Sequence, residues 1–285
     1  MGAGPRLGGV MRVTVLGSGS SGNATLVEAG SVKVLVDAGF SGKDLAGRLS
    51  EGGVVPESLQ AIVITHDHGD HTRGMGVLAR RYGIPLLLTT RTAAACARLL
   101  DGSEAVRHYQ AERVFRIGTL EIRPFLTVHD AADPVAVTLR DTETGCRLGI
   151  ATDLGRPTAA VRAALAGCHL LVLEANHDDA MLWQGPYPWS VKQRIASTHG
   201  HLSNRASAEL IAELHHAALG GVVLAHLSEH CNDPALAREV IGRRLERLGY
   251  RGTLTVASPA RPLHPIEVME LRRRIGAAAE QLELL

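Results

Sequence analysis

The sequence has few aromatic residues and almost no net charge. Phe, Trp and Tyr make up 3% of its 285 residues, which leaves little material for a broad stacking surface. With 30 basic and 29 acidic residues the formal charge is +1, so no global field draws the chain to nucleic acid or to a membrane. Any polyanion must therefore be bound by a local patch or by metal ions.

Cysteine and long apolar runs are also scarce. The four cysteines (Cys96, Cys146, Cys168 and Cys231) are widely spaced within apolar segments and form no CxxC pair, which indicates reduced, buried thiols. We therefore expect a cytoplasmic protein. No uncharged apolar run approaches the ~20 residues that span a bilayer, so no membrane partner is expected. Residues 1–10 are rich in Gly and Pro and predict a disordered leader, not a signal peptide.

The rest of the chain predicts one large domain. With 45% hydrophobic residues it can bury a single core, which we assign to residues 11–265, followed by an amphipathic helical tail over 266–285. Strand-like segments cluster near the start and later alternate with helical segments. This order predicts an α/β (α+β) fold, a four-layer αβ/βα sandwich of two mixed β-sheets flanked by helices.

The strongest chemical signal is a loop rich in histidine and aspartate after the buried strand 61–64. It reads Thr65-His66-Asp67-His68-Gly69-Asp70-His71, an HxHxDH pattern. Imidazole nitrogens and carboxylate oxygens are the ligands that borderline divalent ions prefer, and ligands one residue apart in extended backbone converge on one centre. We expect His66 and His68 to hold one ion, and Asp70 and His71 to hold a second.

Further candidate ligands follow other apolar runs. His129, Asp153 and His226 each stand where a predicted strand ends, the edge at which open sheets place their sites. Taken singly, each would more often cap a helix or lie hydrogen-bonded in the core, but their joint occurrence after HxHxDH favours ligation. Asp37, which follows another strand, is a candidate carboxylate for fixing a histidine tautomer.

The segment Gly17-Ser18-Gly19-Ser20-Ser21-Gly22 matches the GxGxxG pattern of dinucleotide-binding folds. That fold requires a helix next, whereas residues 23–28 alternate like a strand, so we reject it. Exposed backbone N–H groups in such a loop suit a phosphate oxygen, which makes Ser20, Ser21 and Asn23 candidate phosphate-binding residues. The alternative, a tight turn without a ligand, stays open.

Over residues 11–262 this set of residues resembles the ordered motifs of the metallo-β-lactamase superfamily. The resemblance implies that two divalent ions, zinc or manganese, are bound, with Asp153 bridging them and Asp70 contributing to catalysis. The first ion would take His66, His68, His129 and Asp153, and the second Asp70, His71, His226 and Asp153. Such a positive centre suits an anionic ester attacked by a metal-bridging hydroxide.

Further runs are similar to one branch of that superfamily, the WalJ/YycJ-type bacterial exonucleases. They are Gly17 to Asn23, His129-Asp130-Ala131-Ala132-Asp133-Pro134, Glu174-Ala175-Asn176-His177-Asp178, Tyr187-Pro188-Trp189-Ser190, Gly200-His201-Leu202-Ser203-Asn204 and Ala225-His226-Leu227-Ser228. The resemblance implies a phosphodiesterase, a 5′ exonuclease on DNA with a role in DNA repair. Gly69 departs from the pattern, since relatives often carry serine there.

Several residues in these runs are candidate substrate contacts. His201 opens a helix, where free N–H groups bind phosphate; it could protonate the leaving oxygen with help from Glu174. Ser203 and His177 are candidate phosphate contacts, with a helix cap and a core residue as their alternatives. Trp189, near Trp183 and Tyr187 on a predicted loop, is a candidate platform for stacking bases, and the alternative is that this loop fills a gap in the core.

Other functions and partners remain open from the sequence. One alternative is a small-molecule hydrolase of the same fold that cleaves a thioester, a lactone or a cyclic nucleotide. Another is a non-catalytic nucleic-acid-binding module that keeps its metals structurally. The substrate could be RNA as well as DNA, and a homodimer is one option for the oligomeric state.

Overall fold

A computed structural model describes residues 10–283, with side chains described for residues 10–276. The predicted leader therefore lies outside the described residues, apart from Val10. In chain order the strands are β1 (Met11–Gly17), β2 (Ala24–Ala29), β3 (Val32–Val36), β4 (Ala61–Val63), β5 (Leu86–Leu88), β6 (Val106–His108), β7 (Phe115–Ile117), β8 (Leu120–Leu126), β9 (Val135–Asp141), β10 (Arg147–Ala151), β11 (Leu170–Glu174), β12 (Gly221–Ala225), β13 (Thr253–Val256) and β14 (Ile266–Glu267).

The helices pack outside these strands. They are α1 (Gly42–Glu51), α2 (Gly69–Thr72), α3 (Met75–Tyr82), α4 (Thr90–Ala95), α5 (Ala159–Leu165), α6 (Asp179–Gln184), α7 (Trp189–Ile195), α8 (Asn204–Leu214), α9 (Pro234–Arg247) and α10 (Val268–Glu283). Short 3₁₀ turns occupy Pro56–Ser58 and Ala97–Leu99. Over residues 10–283 no helix is long and apolar enough to cross a membrane.

The strands form two seven-stranded sheets. Sheet A has the order β14-β1-β2-β3-β4-β5-β6, and sheet B the order β13-β12-β11-β10-β9-β8-β7. In sheet A the pairs from β3 to β6 are parallel and the others antiparallel. In sheet B the pairs from β10 to β13 are parallel and the others antiparallel. Both sheets are mixed, as predicted.

Alternating side chains divide the molecule into layers. Along β1, Val13 and Val15 face the core between the sheets, where they join Ile122 of β8, whereas Leu16 faces the helices outside sheet A. Helices α1 and α3 cover sheet A, while α5, α8 and α9 cover sheet B. The predicted four-layer αβ/βα sandwich is therefore confirmed. Because β1 leads into β2 without a helix, the dinucleotide-binding alternative is excluded.

One local feature differs from the expectations. Of the three aromatic residues predicted to share a loop, Trp183 lies in α6 and Trp189 begins α7, and only Tyr187 lies between the helices. The Asp178 carboxylate caps α6 by accepting the N–H groups of Ala180 and Met181. The segment after residue 265, predicted as an amphipathic helix, contains β14 and α10 and contacts the rest of the chain. Strand β14 pairs with β1, and Leu271 of α10 is buried in the core between the sheets.

Candidate metal centre and active site

The candidate residues meet at one edge of the two sheets. Parallel neighbours bring their carboxyl ends to the same edge, and β11 pairs Leu173 with Ala151 of β10 and Glu174 with Ala225 of β12. Asp37, Asp153 and His226 follow their strands in the left-handed region, with φ of 62°, 59° and 55°. Such backbone costs free energy for a non-glycine residue, and it turns each side chain away from the strand direction into the site.

Two groups of ligand atoms lie within coordinating reach of one another. The first comprises His66, His68, His129 and Asp153, and the second comprises Asp70, His71 and His226; within each group the ligand atoms lie within 4.8 Å. The resemblance implied these two sets, with Asp153 as a further ligand of the second, and the structure brings all seven residues together. A third, overlapping group consists of Asp153, Glu174, His201 and His226.

Asp153 stands between the two groups. Its Oδ1 lies 3.5 Å from Nε2 of His129 and 4.0 Å from Nε2 of His66, while its Oδ2 lies 3.1 Å from Nε2 of His71. Oδ1 also lies 3.6 Å from Nδ1 of His226, so Asp153 is within reach of both groups, as a bridging carboxylate needs to be. On the second side, Oδ2 of Asp70 lies 3.1 Å from Nε2 of His226.

The outward nitrogen of each candidate imidazole ligand faces an acceptor. Nδ1 of His71 lies 2.8 Å from Asp37, and Nδ1 of His129 lies 3.0 Å from the carbonyl of Gly200. The remaining acceptors are Thr65 Oγ1 for His66, the Asp130 carbonyl for His68 and Glu174 for His226. Donation of the outward N–H fixes the tautomer, so a bare nitrogen is left facing the centre.

The chemistry of this donor set fits divalent cations. Nε2 of His66 is buried and has no hydrogen-bond partner, as expected of an atom reserved for a metal. Burial alone would raise the pKa of Asp153, but the imidazoles of His226, His71 and His66 outweigh it and hold that pKa well below its usual range. The same competition holds the pKa of Asp70 low. Both carboxylates therefore stay ionised, and their negative charge favours the binding of cations.

Glu174 connects the two groups to His201. Its side chain is fully buried, and its Oε1 lies 2.8 Å from Nδ1 of His201 and 2.9 Å from Nδ1 of His226. It also accepts backbone N–H groups, those of Asp153, Leu154 and Leu202. Burial raises the pKa of Glu174, yet His201 and His226 outweigh burial and lower it to about 2. One ionised carboxylate thus orients both histidines.

A pocket of about 270 Å³ opens onto this centre. Its lining includes the predicted residues Ser20 and His201, and Ser21 lies exposed beside Ser20. Four lining residues had no assigned role in the sequence analysis: Asn176, Val191, Ile195 and Ser228. Tyr187, from the candidate stacking platform, and the cation Arg194 line the pocket as well.

Three predicted phosphate contacts do not line the pocket. The Asn23 amide donates to Oδ2 of Asp70 at 3.1 Å and its oxygen accepts from Ser18, so it positions a ligand. The Ser203 hydroxyl caps α8 by accepting the N–H of Ala206. His177 is buried, with an unpartnered Nδ1, and does not line the pocket. Small polar residues also cap helices and hold turns together, and Asn23 and Ser203 take these roles here.

Trp189 lies outside the pocket lining. Its ring pairs with that of Trp183, with centroids 5.1 Å apart, and 65% of Trp189 is exposed. The two tryptophans form a small apolar surface on the outer side of α6 and α7. The structure therefore separates Trp189 from Tyr187, which does line the pocket.

The fold and the paired ligand clusters are those of a metal-dependent hydrolase. A family model described as "Beta-lactamase superfamily domain" matches residues 32–269. Exodeoxyribonuclease YycJ of Bacillus anthracis is 34% identical over 242 residues, covering 84% of this chain and 91% of that protein. Exodeoxyribonuclease WalJ of Streptococcus pneumoniae is 35% identical over 241 residues, covering 82% and 88%.

Among solved structures, the metallo-β-lactamase fold protein YhfI from Bacillus subtilis superposes with a TM-score of 0.69. The two chains are 18% identical, and the superposition covers 89% of this chain and 99% of YhfI. At this level of identity the similarity shows the fold alone. The chain belongs to the β-lactamase superfamily, with the metallo-β-lactamase fold. It is an enzyme of that superfamily, a metal-dependent hydrolase.

Proposed function

We propose that the protein is a dinuclear-metal-dependent phosphodiesterase, a 5′ exonuclease on DNA with a role in DNA repair. The observation that carries the proposal is a single pocket. In it Asp153 lies between the two ligand groups, and His201, which is hydrogen-bonded to Glu174, forms part of the wall. The names of the relatives, exodeoxyribonucleases, favour DNA over other phosphodiesters.

The ligands would hold two divalent ions, zinc or manganese, on either side of Asp153. When bound, such ions supply a water-derived nucleophile at neutral pH and neutralise charge on a phosphate. The chain's part is to fix the ligands. Asp37 and Glu174 hold the imidazoles of His71 and His226, and Asn23 holds the carboxylate of Asp70.

His201 would act as the general acid. Since its Nδ1 lies 2.8 Å from the Glu174 carboxylate, donation of that N–H leaves Nε2 for the pocket. A proton on Nε2 would pass to the oxygen that leaves phosphorus, which is the step that a leaving alkoxide requires. Glu174 remains ionised and stabilises the positive imidazolium before transfer.

At the pocket rim and beyond it, two surfaces would contact the strand. The exposed Ser20 and Ser21 lie on the loop at the pocket rim, where hydroxyl and N–H groups suit phosphate oxygens. Trp189 would contact nucleotides that lie beyond the pocket. Because the formal charge is only +1, we expect binding to depend on these local contacts.

The test compares end-labelled DNA with and without Mn²⁺ or Zn²⁺, using 5′ and 3′ labels to read polarity. Wild-type enzyme should release 5′ nucleotides, and His201→Ala should lower the rate by about 10²- to 10⁴-fold, the usual contribution of a general acid. His264→Ala is the matched control, since that histidine is exposed and does not line the active-site pocket.

Two results would contradict the proposal. The first is wild-type activity in His201→Ala, which would mean that the nuclease is a contaminant or that the acid is elsewhere. The second is turnover of thioester, lactone or cyclic-nucleotide substrates without release of nucleotides from DNA. An RNA strand in the same assay measures how strictly the sugar is selected.

A further inference from the structure

The loop between β1 and β2 contacts the second ligand group from both sheets. Ser18 and Asn23 of this loop are buried, with 3% and 5% of their surface exposed. They lie between Asp70, which follows strands of sheet A, and His226, which follows β12 of sheet B. The GxGxxG-like segment is therefore placed to join the two sheets where they share the metal centre.

Ser18 holds the backbone of His226. Its hydroxyl accepts the N–H of His226 at 2.8 Å, although the two residues are 208 positions apart in the chain. On the other side, the Asn176 amide donates to the carbonyl of His226 at 2.9 Å. With a φ of 55°, His226 has a backbone conformation that persists only where its surroundings enforce it. Ser18 and Asn176 supply that constraint and so direct the imidazole into the site.

A chain of hydrogen bonds continues from Ser18 through Asn23. Because the N–H of His226 can only donate, the Ser18 hydroxyl accepts it and gives its own hydrogen to Oδ1 of Asn23, 2.7 Å away. The same oxygen accepts the N–H of Gly19 at 3.1 Å, so the amide nitrogen faces the other way. That nitrogen donates to Oδ2 of Asp70 at 3.1 Å. We call this chain, from the His226 backbone to the Asp70 carboxylate, the Ser18–Asn23 link.

The Ser18–Asn23 link serves one ligand group and not the other. The Asn23 amide nitrogen also lies 3.1 Å from Nε2 of His71, so the link contacts all three members of the second group. Over the described residues it makes no hydrogen bond to the imidazoles of the first group. Those imidazoles are held by the Thr65 hydroxyl and the carbonyls of Asp130 and Gly200.

We propose that the Ser18–Asn23 link assembles the second metal position across the two sheets, with Ser18 and Asn23 as positioning residues. It holds His226 of sheet B and Asp70 of sheet A so that both can bind one ion. The inference rests on the proposed two-ion centre and goes beyond it in one respect. The link sets the affinity of the second position and leaves that of the first unchanged.

Metal affinity tests the link without a measurement of nuclease activity. Elemental analysis after equilibration at graded, buffered concentrations of free Mn²⁺ counts the ions that each protein retains. Ser18→Ala leaves the N–H of His226 without its acceptor, so the second ion should need about 10- to 100-fold more free Mn²⁺ than in wild type. Ser18→Thr keeps the hydroxyl and should restore the affinity.

Anomalous X-ray diffraction at a limiting Mn²⁺ concentration shows which position is affected. In Ser18→Ala the peak beside Asp70, His71 and His226 should weaken, while the other peak keeps its height. Asn23→Ala breaks the same link, so the double variant should weaken the second ion by less than the product of the two single effects. Effects that multiply would mean that the two residues act separately, and they would overturn the link.

Asp141→Ala separates positioning from a general loss of stability. Asp141 is buried where β9 turns into β10, at the opposite end of β10 from the metal centre. Its carboxylate accepts the Thr144 hydroxyl and the backbone N–H groups of Glu143 and Thr144. Loss of these bonds should lower the Tm and leave the affinity for both ions unchanged.

Each contrary outcome has a distinct meaning. If Ser18→Ala and Asn23→Ala both retain the second ion at the wild-type concentration of free Mn²⁺, the link does not position its ligands and the inference is wrong. Equal weakening of both anomalous peaks, or the same loss of metal in Asp141→Ala, would show a general loss of structure and would also overturn it. If wild type binds no ion at either position, the two-ion centre itself fails, and this inference fails with it.

Discussion

At the scale of residues, part of the centre is built on strained backbone. Three residues that follow strands, Asp37, Asp153 and His226, hold left-handed backbone, and among the described residues only Glu112 shares this state without being glycine. Aspartate tolerates this region better than most residues because its short side chain bonds locally. The strained backbone directs Asp153 and His226, two candidate ligands, and Asp37, the acceptor for His71, into the site.

Glu174→Gln tests the carboxylate that joins the histidines. The Glu174 carboxylate accepts hydrogen bonds from two imidazole nitrogens and three backbone N–H groups, so all five of its partners are donors. A glutamine must turn its own NH₂ toward some of them, which leaves buried donors unpaired. We expect stability to fall by about 1–3 kcal/mol and activity or metal affinity to fall about 10- to 100-fold.

Chemical denaturation and metal titration measure these two effects. Glu213→Gln is the matched control, because Glu213 forms an exposed ion pair with Arg162 on the surface. It should change neither quantity. Unchanged activity and metal affinity in Glu174→Gln would show that its charge does not orient the site.

Gly39→Ala tests how tightly the second ligand group is packed. A Cβ on Gly39 would lie 1.6 Å from the carbonyl oxygen of Asp70, so α2 must move with its ligands Asp70 and His71. We expect loss of metal at the second position and a loss of stability of about 1–3 kcal/mol. Elemental analysis and thermal unfolding read the two effects.

Gly69→Ala is the control from the same loop. A Cβ there meets nothing within 4 Å, so metal content and stability should stay near wild type. The open space also explains why a serine in relatives is compatible with this position. Equal metal content in both variants would contradict the packing argument.

The residue types of the metal ligands could be predicted from the sequence, whereas several roles around them could not. HxHxDH is specific because polar residues in such number after a buried strand have little structural use. Asn23 and Ser203 bear the same small polar groups whether they bind phosphate or fasten backbone, and only their contacts separate the two roles.

At the scale of elements, runs of apolar residues identified the long strands, and weak patterns hid the short ones. Strands β11 and β12 are buried throughout and read as continuous apolar segments. Strands β6 and β7 have three residues each and are half-buried or exposed, so periodicity cannot reveal them. The helices α6 and α7 were hidden by Gly185, Pro186 and Pro188, which signal turns.

The start of β11 carries a pH-sensitive contact away from the metal centre. Nδ1 of His169 accepts the backbone N–H of Arg147 at 3.0 Å, which requires an unprotonated nitrogen. Burial, with the nearby charges of Arg272, His216 and Arg147, lowers the pKa of His169 from 6.5 to about 4. The unfolded chain thus takes up this proton at a higher pH than the folded one.

The contribution of His169 to stability is therefore complete above about pH 6.5 and is lost as the pH falls toward 4. We expect the Tm of wild type to fall more between pH 7.5 and pH 5 than that of His169→Gln, which cannot titrate. Comparing the two proteins cancels acid effects common to both. Parallel falls in Tm would contradict the role of His169.

At the scale of the whole molecule, one chain folds into two sheets whose edges share a single site. Sheet A supplies Asp37 and the HxHxDH loop, and sheet B supplies His129, Asp153 and His226. Strand-end positions predicted a common edge within each sheet. That the two edges face each other is a property of the sandwich, and before the structure it followed only from the resemblance to a known superfamily.

The central claim is that these residues hold two divalent ions on either side of Asp153. Anomalous X-ray diffraction from crystals of the Mn²⁺- or Zn²⁺-loaded protein tests it most directly. The account predicts two peaks, one within reach of His66, His68 and His129, and one within reach of Asp70, His71 and His226, with Asp153 between them. No peak at this edge of the sheets, or peaks bound by other residues, would contradict it.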